Sequence, residues 1–176
     1  MNGNFDFLRA EWPQLHAEAK RAEQDALFDP RTTCFYARRT TELAVKWIYR
    51  VKSLDTPYSN DLAARLHQAT FLAVVDRRVQ VKMDLIRKMG NKAVHESRPV
   101  PQDDARKVLT ELFHVLSWFA REFASQPSSK PSPDQQFDAS LLPKPGGGQA
   151  VAKSLEQVKK LGSELADKDA RLGQAE

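Results

Sequence analysis

Apolar residues recur every three or four positions through most of the first 124 residues, and this spacing constrains the fold more than any other feature. An α-helix brings such positions onto one face, whereas a half-buried strand would alternate apolar and polar residues. Neither that alternation nor the turn signals of hairpins stand out in the sequence. The chain is therefore predicted to be all-α, with four or five helices packed as a bundle.

Prolines mark where the first helices are expected to begin. A first helix is expected to extend to about Phe28, with a restart near Pro13, because proline is tolerated only in a first turn. Asp29 followed by Pro30 predicts the start of a second helix, since aspartate caps helices and proline suits the first helical position. The apolar spacing carries this second helix to about Arg50.

The remaining helices are expected after a loop over residues 52–59. A short helix is predicted over 60–68, and Thr70 is expected to cap another short piece. A long helix over 77–94 follows. Acidic residues after Gln102 favour the start of the last helix of the bundle, because the helix dipole attracts negative charge to its first turn.

Composition changes abruptly after Ser125, and this change sets the expected domain boundaries. Residues 126–149 hold five prolines and three consecutive glycines, which predict a disordered linker. Beyond it, apolar residues recur every seven positions, but only one of the three interleaved positions is apolar. The heptad residues are Val151, Val158, Leu165 and Leu172, and the interleaved ones are Leu155, Gly162 and Asp169. The prediction is a helical domain over 1–125, a linker over 126–149 and a single helix or weak coiled coil over 150–176.

Charge, cysteine content and hydropathy limit the class of protein. Residues 1–125 carry 20 Lys and Arg against 16 Asp and Glu, so the whole net charge of +4 lies in the helical domain. This charge permits weak contact with nucleic acid but does not require it. The single Cys34 fits a reducing compartment and a buried position. With no signal-peptide pattern and no apolar run longer than 113–120, we expect a cytoplasmic protein that does not contact membranes.

The predicted helix over 77–94 carries the candidate catalytic residues Arg87, Asn91 and His95, which fall on one face at helical spacing. In the functional interpretation, His95 is an acid, base or phosphate ligand, Asn91 orients it, and Arg87 or Lys88 supplies positive charge. In the structural interpretation, Gly90 and Asn91 relax the helix end and His95 hydrogen-bonds a loop backbone. Spacing alone leaves both interpretations open.

Basic residues form three clusters along the chain: Arg38-Arg39, Arg77-Arg78-Lys82 and Arg87-Lys88-Lys92. Solvated helix faces are the ordinary explanation, and Asp84 can pair with Arg87 or Lys88. A phosphate-binding surface requires the clusters to converge in space. Arg87, Lys88 and Lys92 are the residues we expect to contact nucleic acid, should the chain bind it. The histidines fall on separate helices without ligand spacing, so no metal site and no cofactor are expected.

Four segments, in order, resemble the helical domain at the N-terminus of type I restriction endonuclease R subunits. They are residues 5–13 (FDFLRAEWP), 34–39 (CFYARR), 42–47 (ELAVKW) and 90–95 (GNKAVH). The resemblance covers about residues 5–124 and implies a HEPN-like helical bundle, followed by the start of a coiled-coil spacer. The nuclease and helicase domains of those subunits have no counterpart in this sequence.

The HEPN superfamily includes metal-independent ribonucleases whose motif is an Arg, commonly followed by a polar residue, with a His four to six positions after the Arg. Asn91 and His95 match this motif, but Gly90 lies where the Arg belongs and Arg87 lies one turn earlier. The resemblance therefore favours a non-catalytic module that docks a restriction–modification subunit, a second copy of itself or nucleic acid. The alternatives are a ribonuclease in which Arg87 or Lys88 replaces the Arg, and an oligomerisation adaptor without nucleic-acid contact.

Overall fold

The computed structural model describes residues 2–144 and 152–173, and all regular secondary structure in these ranges is helical. The α-helices, numbered in chain order, are α1 (Pro13–Gln24), α2 (Pro30–Val51), α3 (Leu62–His67), α4 (Ala69–Leu72), α5 (Arg77–His95), α6 (Gln102–Phe123) and α7 (Leu155–Gly173). Single 3-10 turns cover Asp6–Leu8, Pro127–Ser129 and Ala139–Leu141. The prediction of an all-α helical bundle is confirmed, whereas its HEPN-like character stays a prediction.

Local signals explain where the first helices begin. Pro13 occupies the first position of α1, after the 3-10 turn, which confirms the expected restart. Asp29 caps α2, and its carboxylate accepts hydrogen bonds from the backbone N–H and the hydroxyl of Thr32. The expectation that Thr70 caps a short helix is wrong. The extended backbone of Gln68 ends α3 and starts α4, so Thr70 falls inside the helical turn.

Helix α2 lies at the centre of the bundle and packs against α1, α5 and α6. At one end of this core, an aromatic cluster joins the helices, with ring centroids 5.0–5.9 Å apart; its members are Trp12, Trp47, Phe119 and Phe123. Cys34 is fully buried on α2, and burial is the main cause that raises the pKa of its thiol to about 12. The expectation of a buried cysteine is confirmed. Across the described ranges, no helix combines the length and apolar content needed to cross a bilayer.

Residues 125 and 126 continue from α6 but are held against the start of the bundle. Both backbone N–H groups donate to the Glu11 carboxylate at 2.9 Å, and the Ser125 hydroxyl donates to the same carboxylate. Hydrogen bonds to the Ser125 and Gln126 backbone lower the pKa of Glu11 to about 2. The chain therefore turns back onto the bundle directly after α6.

Residues 126–144 pack on the helical domain, so the expected disordered linker is wrong for this part of the chain. The Asn4 side chain accepts a hydrogen bond from the Asp138 backbone N–H at 2.7 Å and donates to the Asp138 carbonyl at 3.0 Å. The Phe137 ring contacts the core and Leu142 is only 3% exposed. Prolines prevent a long helix here and leave only single 3-10 turns, but they leave apolar side chains free to pack. The expected linker residues 145–149 lie outside the described ranges.

Candidate interaction groove

Helix α5 carries the three candidate catalytic residues in one unbroken helix that ends at His95. Arg87 and Asn91 are partly buried, while His95 is exposed at the last helical position. The side chain of His95 makes no hydrogen bond or ion pair with the residues that the structure describes. The structure thus gives His95 an accessible position and no group that orients its ring.

Asp84 forms ion pairs with the candidate Arg87 and with its neighbour Lys88. Its carboxylate is 2.8 Å from Arg87 Nε and 2.8 Å from Lys88 Nζ, and its residue is only 9% exposed. Burial works to raise the pKa of Asp84, but hydrogen bonds from Lys88 and Arg87 lower it overall. The expected pairing on this helix face is confirmed, and it offsets the positive charge that Arg87 and Lys88 could offer a ligand.

Helices α2 and α5 approach each other closely at Gly90. A Cβ atom at position 90 would lie 2.4 Å from Cβ and 2.8 Å from Cδ of Arg38. Because α5 continues to His95 in helical conformation, the interpretation that Gly90 relaxes the helix end is wrong. Glycine is needed there because the Arg38 side chain crosses over it.

Arg31 of α2 holds the C-terminal end of α5. Its guanidinium donates to the carbonyl oxygens of Ala93, Glu96 (2.9 Å) and Arg98 (3.0 Å). Carbonyl groups at the end of a helix lack hydrogen-bond partners within the helix. A planar guanidinium with five N–H donors can bind several of them at once. The loop backbone is therefore bound by Arg31, and the expectation that His95 performs this role is wrong.

The basic clusters do not form one continuous surface. Within the cluster over residues 77–82, Lys82 binds Glu111, Arg77 donates to Gln80 and Arg78 lies 3.8 Å from Asp76. Two of these pairings are local to the start of α5, and the bond from Lys82 to Glu111 joins α5 to α6. Since α5 rises about 1.5 Å per residue, residues 77–82 lie about 20–27 Å from His95 at its other end.

Helix α7 packs on α2 and α5, rather than standing apart as a coiled-coil segment. We call the surface it covers the α2–α5 groove and define it by Phe35, Arg38, Arg39 and Val94. The apolar side of α7 faces the bundle: Val158 is fully buried, and Leu161 and Leu165 pack against the core. Gly162 lets the helix close on Phe35, whose ring would be 3.3 Å from a Cβ atom at that position.

The Asp169 carboxylate of α7 binds the guanidinium of Arg39 with two hydrogen bonds of 3.0 and 3.2 Å. On its other side, Arg39 Nε lies 3.2 Å from the buried Glu18 carboxylate of α1. Burial works to lower the pKa of Arg39, but the bond to Asp169 and the charge of Glu18 raise it overall. Two parallel hydrogen bonds between a guanidinium and a carboxylate fix the relative orientation of the two groups and also stabilise the contact. Arg39 therefore sets where along α2 the docked helix lies.

The start of α7 is fixed by two further contacts. Ser154 and Gln157 form a capping box, in which the Ser154 hydroxyl accepts from the Gln157 N–H and the Gln157 side chain accepts from the Ser154 N–H. The Lys153 N–H donates to Asp29 at 2.8 Å, so the carboxylate that caps α2 also holds the entry to α7. Lys153 contacts Asp29, Gly162 contacts Phe35 and Asp169 contacts Arg39. Helix α7 therefore runs along α2 in the same direction.

These contacts explain why the heptad pattern looked imperfect. Gly162 and Asp169 are poor core residues for a coiled coil, yet they are the residues that fit Phe35 and Arg39. The expected weak coiled coil is therefore replaced by a helix that docks on its own bundle. The heptad residue Val151 lies outside the described ranges. The capping box is a signal that the sequence offered and that periodicity alone did not reveal.

Comparison with known proteins identifies a family for most of the bundle. A family model described as a domain of unknown function (DUF4145) matches residues 20–130. No curated protein and no solved structure matches the chain. The matched range includes all of α2 and α5, and hence the whole α2–α5 groove, whereas α7 lies beyond it.

Proposed function

The chain belongs to the DUF4145 family, a domain of unknown function, and we propose that it is a non-catalytic helical interaction module whose α2–α5 groove docks an amphipathic helix. The observation that carries this proposal is the docked α7. It presents an apolar stripe to the bundle and one carboxylate to Arg39. Recognition of a helix in a groove uses this combination of apolar anchors and an orienting charge.

Exchange of the docked helix is the mechanism we propose for partner binding. Most of the stability of a protein helix comes from packing of its amphipathic face, so α7 depends on its contacts with the groove. Few of its side chains are buried, with Val158 the only fully buried one among its described residues. A partner helix with the same apolar spacing and a carboxylate in register with Asp169 would compete for the same contacts.

The partner class rests on the resemblance to type I restriction endonuclease R subunits. On that resemblance, the groove would receive a helix from a restriction–modification subunit or from a second copy of this chain, in defence against foreign DNA. The bundle would then act as a fixed scaffold and the exchanged helix as the connection between chains.

The ribonuclease alternative is less favoured because Asp84 engages the two cations proposed to replace the missing Arg. With Arg87 and Lys88 both at 2.8 Å from this carboxylate, a scissile phosphate would have to compete with Asp84 for them. We expect no metal-independent cleavage of single-stranded RNA above background. Cleavage that disappears in His95→Ala would restore the catalytic alternative.

A labelled peptide tests helix docking in trans. The peptide comprises residues 152–173, and its fluorescence anisotropy is measured during titration with the full chain. In the Val158→Asp chain, a charge at a buried position should release the chain's own α7 and open the groove. We expect this variant to bind the peptide at least about tenfold more tightly than the wild type, whose own α7 has a high effective concentration.

Charge variants then test the register of docking. Asp169→Asn in the peptide, or Arg39→Gln in the Val158→Asp chain, should weaken binding. Asp167→Asn removes the same charge from an exposed position and should leave binding unchanged. Equal binding by the wild-type and Val158→Asp chains, with no effect of Asp169→Asn, would contradict the proposed groove.

A further inference from the structure

A cavity of about 590 Å³ lies between α2, α5 and the docked α7. The side chains around it are strongly mixed in character, with four cations, two carboxylates and several small or apolar groups. The cations are Arg38, Arg39, Lys46 and Lys159, and the carboxylates are Glu42 and Asp169. Four positive and two negative charges leave the cavity wall with a net charge of +2. A concave positive surface of this kind attracts an anion.

Most of these charges are already paired, and the pairing shows which cation is available. Arg39 is bound by Asp169 and Glu18, and Lys46 lies 2.9 Å from Glu42. Arg38 makes no hydrogen bond or ion pair within the described ranges. It is therefore the arginine of this cavity whose charge the neighbouring side chains leave uncompensated.

Arg38 is partly buried, and this makes the lack of a partner significant. Its Nε atom is buried and has no hydrogen-bond partner among the described residues. A buried donor without an acceptor is unfavourable, because its bonds to water have been lost and nothing replaces them. An oxyanion in the cavity would supply negative charge beside the guanidinium and accept hydrogen bonds from guanidinium N–H groups other than the buried Nε–H.

Gly90 fixes Arg38 in this position. The first three side-chain carbons of Arg38 pack over Gly90, at 2.4 to 3.0 Å from where a Cβ atom would lie. Any side chain at position 90 would displace them. The guanidinium is thus held by the close approach of two helices rather than by a carboxylate.

We propose that this cavity binds the phosphate group of a small phosphate ester, with Arg38 as the principal ligand and Lys159 as the second cation. Lys159 is 3.9 Å from Glu156, whose side chain is 83% exposed, so its charge is only weakly offset. The volume exceeds that of a phosphate group, and it falls within the range of small-molecule sites. Phe35, Val94 and Ala166 line the part of the cavity that the organic group would occupy.

This site needs α7 docked on its own chain, as the structure has it, and does not depend on the exchange of α7 for a partner helix. Lys159, Gly162 and Ala166 belong to α7 and form one wall of the cavity. Bound phosphate should consequently hold α7 in the groove. Any ligand that binds only the closed form shifts the equilibrium toward that form.

The test uses the full chain at low ionic strength, titrated with inorganic phosphate, with AMP and with adenosine, while backbone amide resonances are recorded. We expect AMP to shift the resonances of Gly90, Val94 and Gly162, and adenosine to leave them unchanged. Equal affinity for inorganic phosphate would identify the free ion as the ligand. Tighter binding of AMP would identify an ester.

Two arginine variants separate a specific site from general charge attraction. Arg38→Gln should weaken AMP binding at least about tenfold, whereas Arg78→Gln, on a side chain 91% exposed near the start of α5, should change it less than about twofold. Lys159→Gln, on the surface helix, gives a second weakened variant that leaves the bundle intact. Equal effects of Arg38→Gln and Arg78→Gln, or no shifts at Gly90 and Val94 in the wild type, would overturn the proposal. Failure of peptide exchange with an intact AMP response would leave this site standing and reject only the exchange of α7.

Discussion

The side chain of Arg38 lies directly across Gly90, so that a methyl group at position 90 would fall 2.4 Å from Arg38 Cβ. The contact involves the carbon nearest the backbone of α2, which a change of rotamer cannot move. Glycine at this point therefore lets α2 and α5 come together. Gly90 lies where the HEPN ribonuclease motif has an arginine, and the side chain of Arg38 from α2 covers that position.

Gly90→Ala is expected to destabilise the bundle. Helix propensity favours alanine by about 1 kcal/mol, but overpacking between two helices costs about 1–3 kcal/mol and more where the backbone must shift. Urea denaturation of the full chain should show a net loss of unfolding free energy. Gly173→Ala is the matched control, because a Cβ atom at that helical glycine meets nothing within 4 Å. Unchanged stability in Gly90→Ala would show that the helices do not approach so closely.

Arg31→Gln should loosen the end of α5 and the loop after it. The variant removes the donors to the carbonyls of Glu96 and Arg98, and lost hydrogen bonds to a charged group cost about 1.5–3 kcal/mol. Urea denaturation gives the loss of unfolding free energy. Arg50→Gln, an exposed position on the same helix, should have almost no effect. Equal stability of the two variants would mean that Arg31 does not hold the loop.

Protonation of Glu11 at low pH should release the segment that follows α6. Hydrogen bonds from Ser125 and Gln126 lower its pKa to about 2, from an ordinary value of 4.5. The carboxylate therefore stabilises the fold fully above pH 4.5, and this contribution is lost as the pH falls toward 2. The amide resonances of Ser125 and Gln126 should titrate with a midpoint near 2, and Glu11→Gln should abolish that titration. A midpoint near 4.5 would show that the carboxylate does not bind these amides.

Cys34 should be unreactive in the folded chain. Burial, together with the charge of Asp104, raises the pKa of its thiol to about 12, so almost no thiolate exists at pH 8. Iodoacetamide should label the native chain very slowly and the urea-unfolded chain to completion, as measured by mass spectrometry. Rapid labelling of the native chain would place Cys34 on an accessible surface.

The sequence was most informative where the signal is local. Asp29 and Pro30 mark the start of α2 because capping and proline geometry depend on adjacent residues, and Pro13 marks the start of α1 in the same way. The apolar spacing also identified the long helices of the bundle. The prediction of disorder is wrong for residues 126–144 because prolines exclude long helices without excluding packing, as the buried Leu142 illustrates.

Contacts between distant residues could not be predicted from spacing. Gly162 meets Phe35 and Asp169 meets Arg39 across more than 120 positions, so the two residues that weakened the heptad pattern acquire their roles only in the folded chain. Likewise, Arg38 reaches Gly90 only because α2 and α5 pack side by side. The candidate residues on α5 could be recognised from the sequence. The ion pairs that Asp84 forms with Arg87 and Lys88, and the packing of α7 over the α2–α5 groove, are known only from the folded chain.

Amide hydrogen exchange across residues 155–173 of the full chain tests the docked α7 most directly. If α7 lies in the α2–α5 groove, its amides should exchange at least about tenfold more slowly than those of the isolated 152–173 peptide. Val158→Asp should remove this protection while the amides of α2, α5 and α6 keep theirs. Exchange of the α7 amides at the peptide rate in the wild-type chain, beside a protected bundle, would contradict the docking on which the proposed function rests.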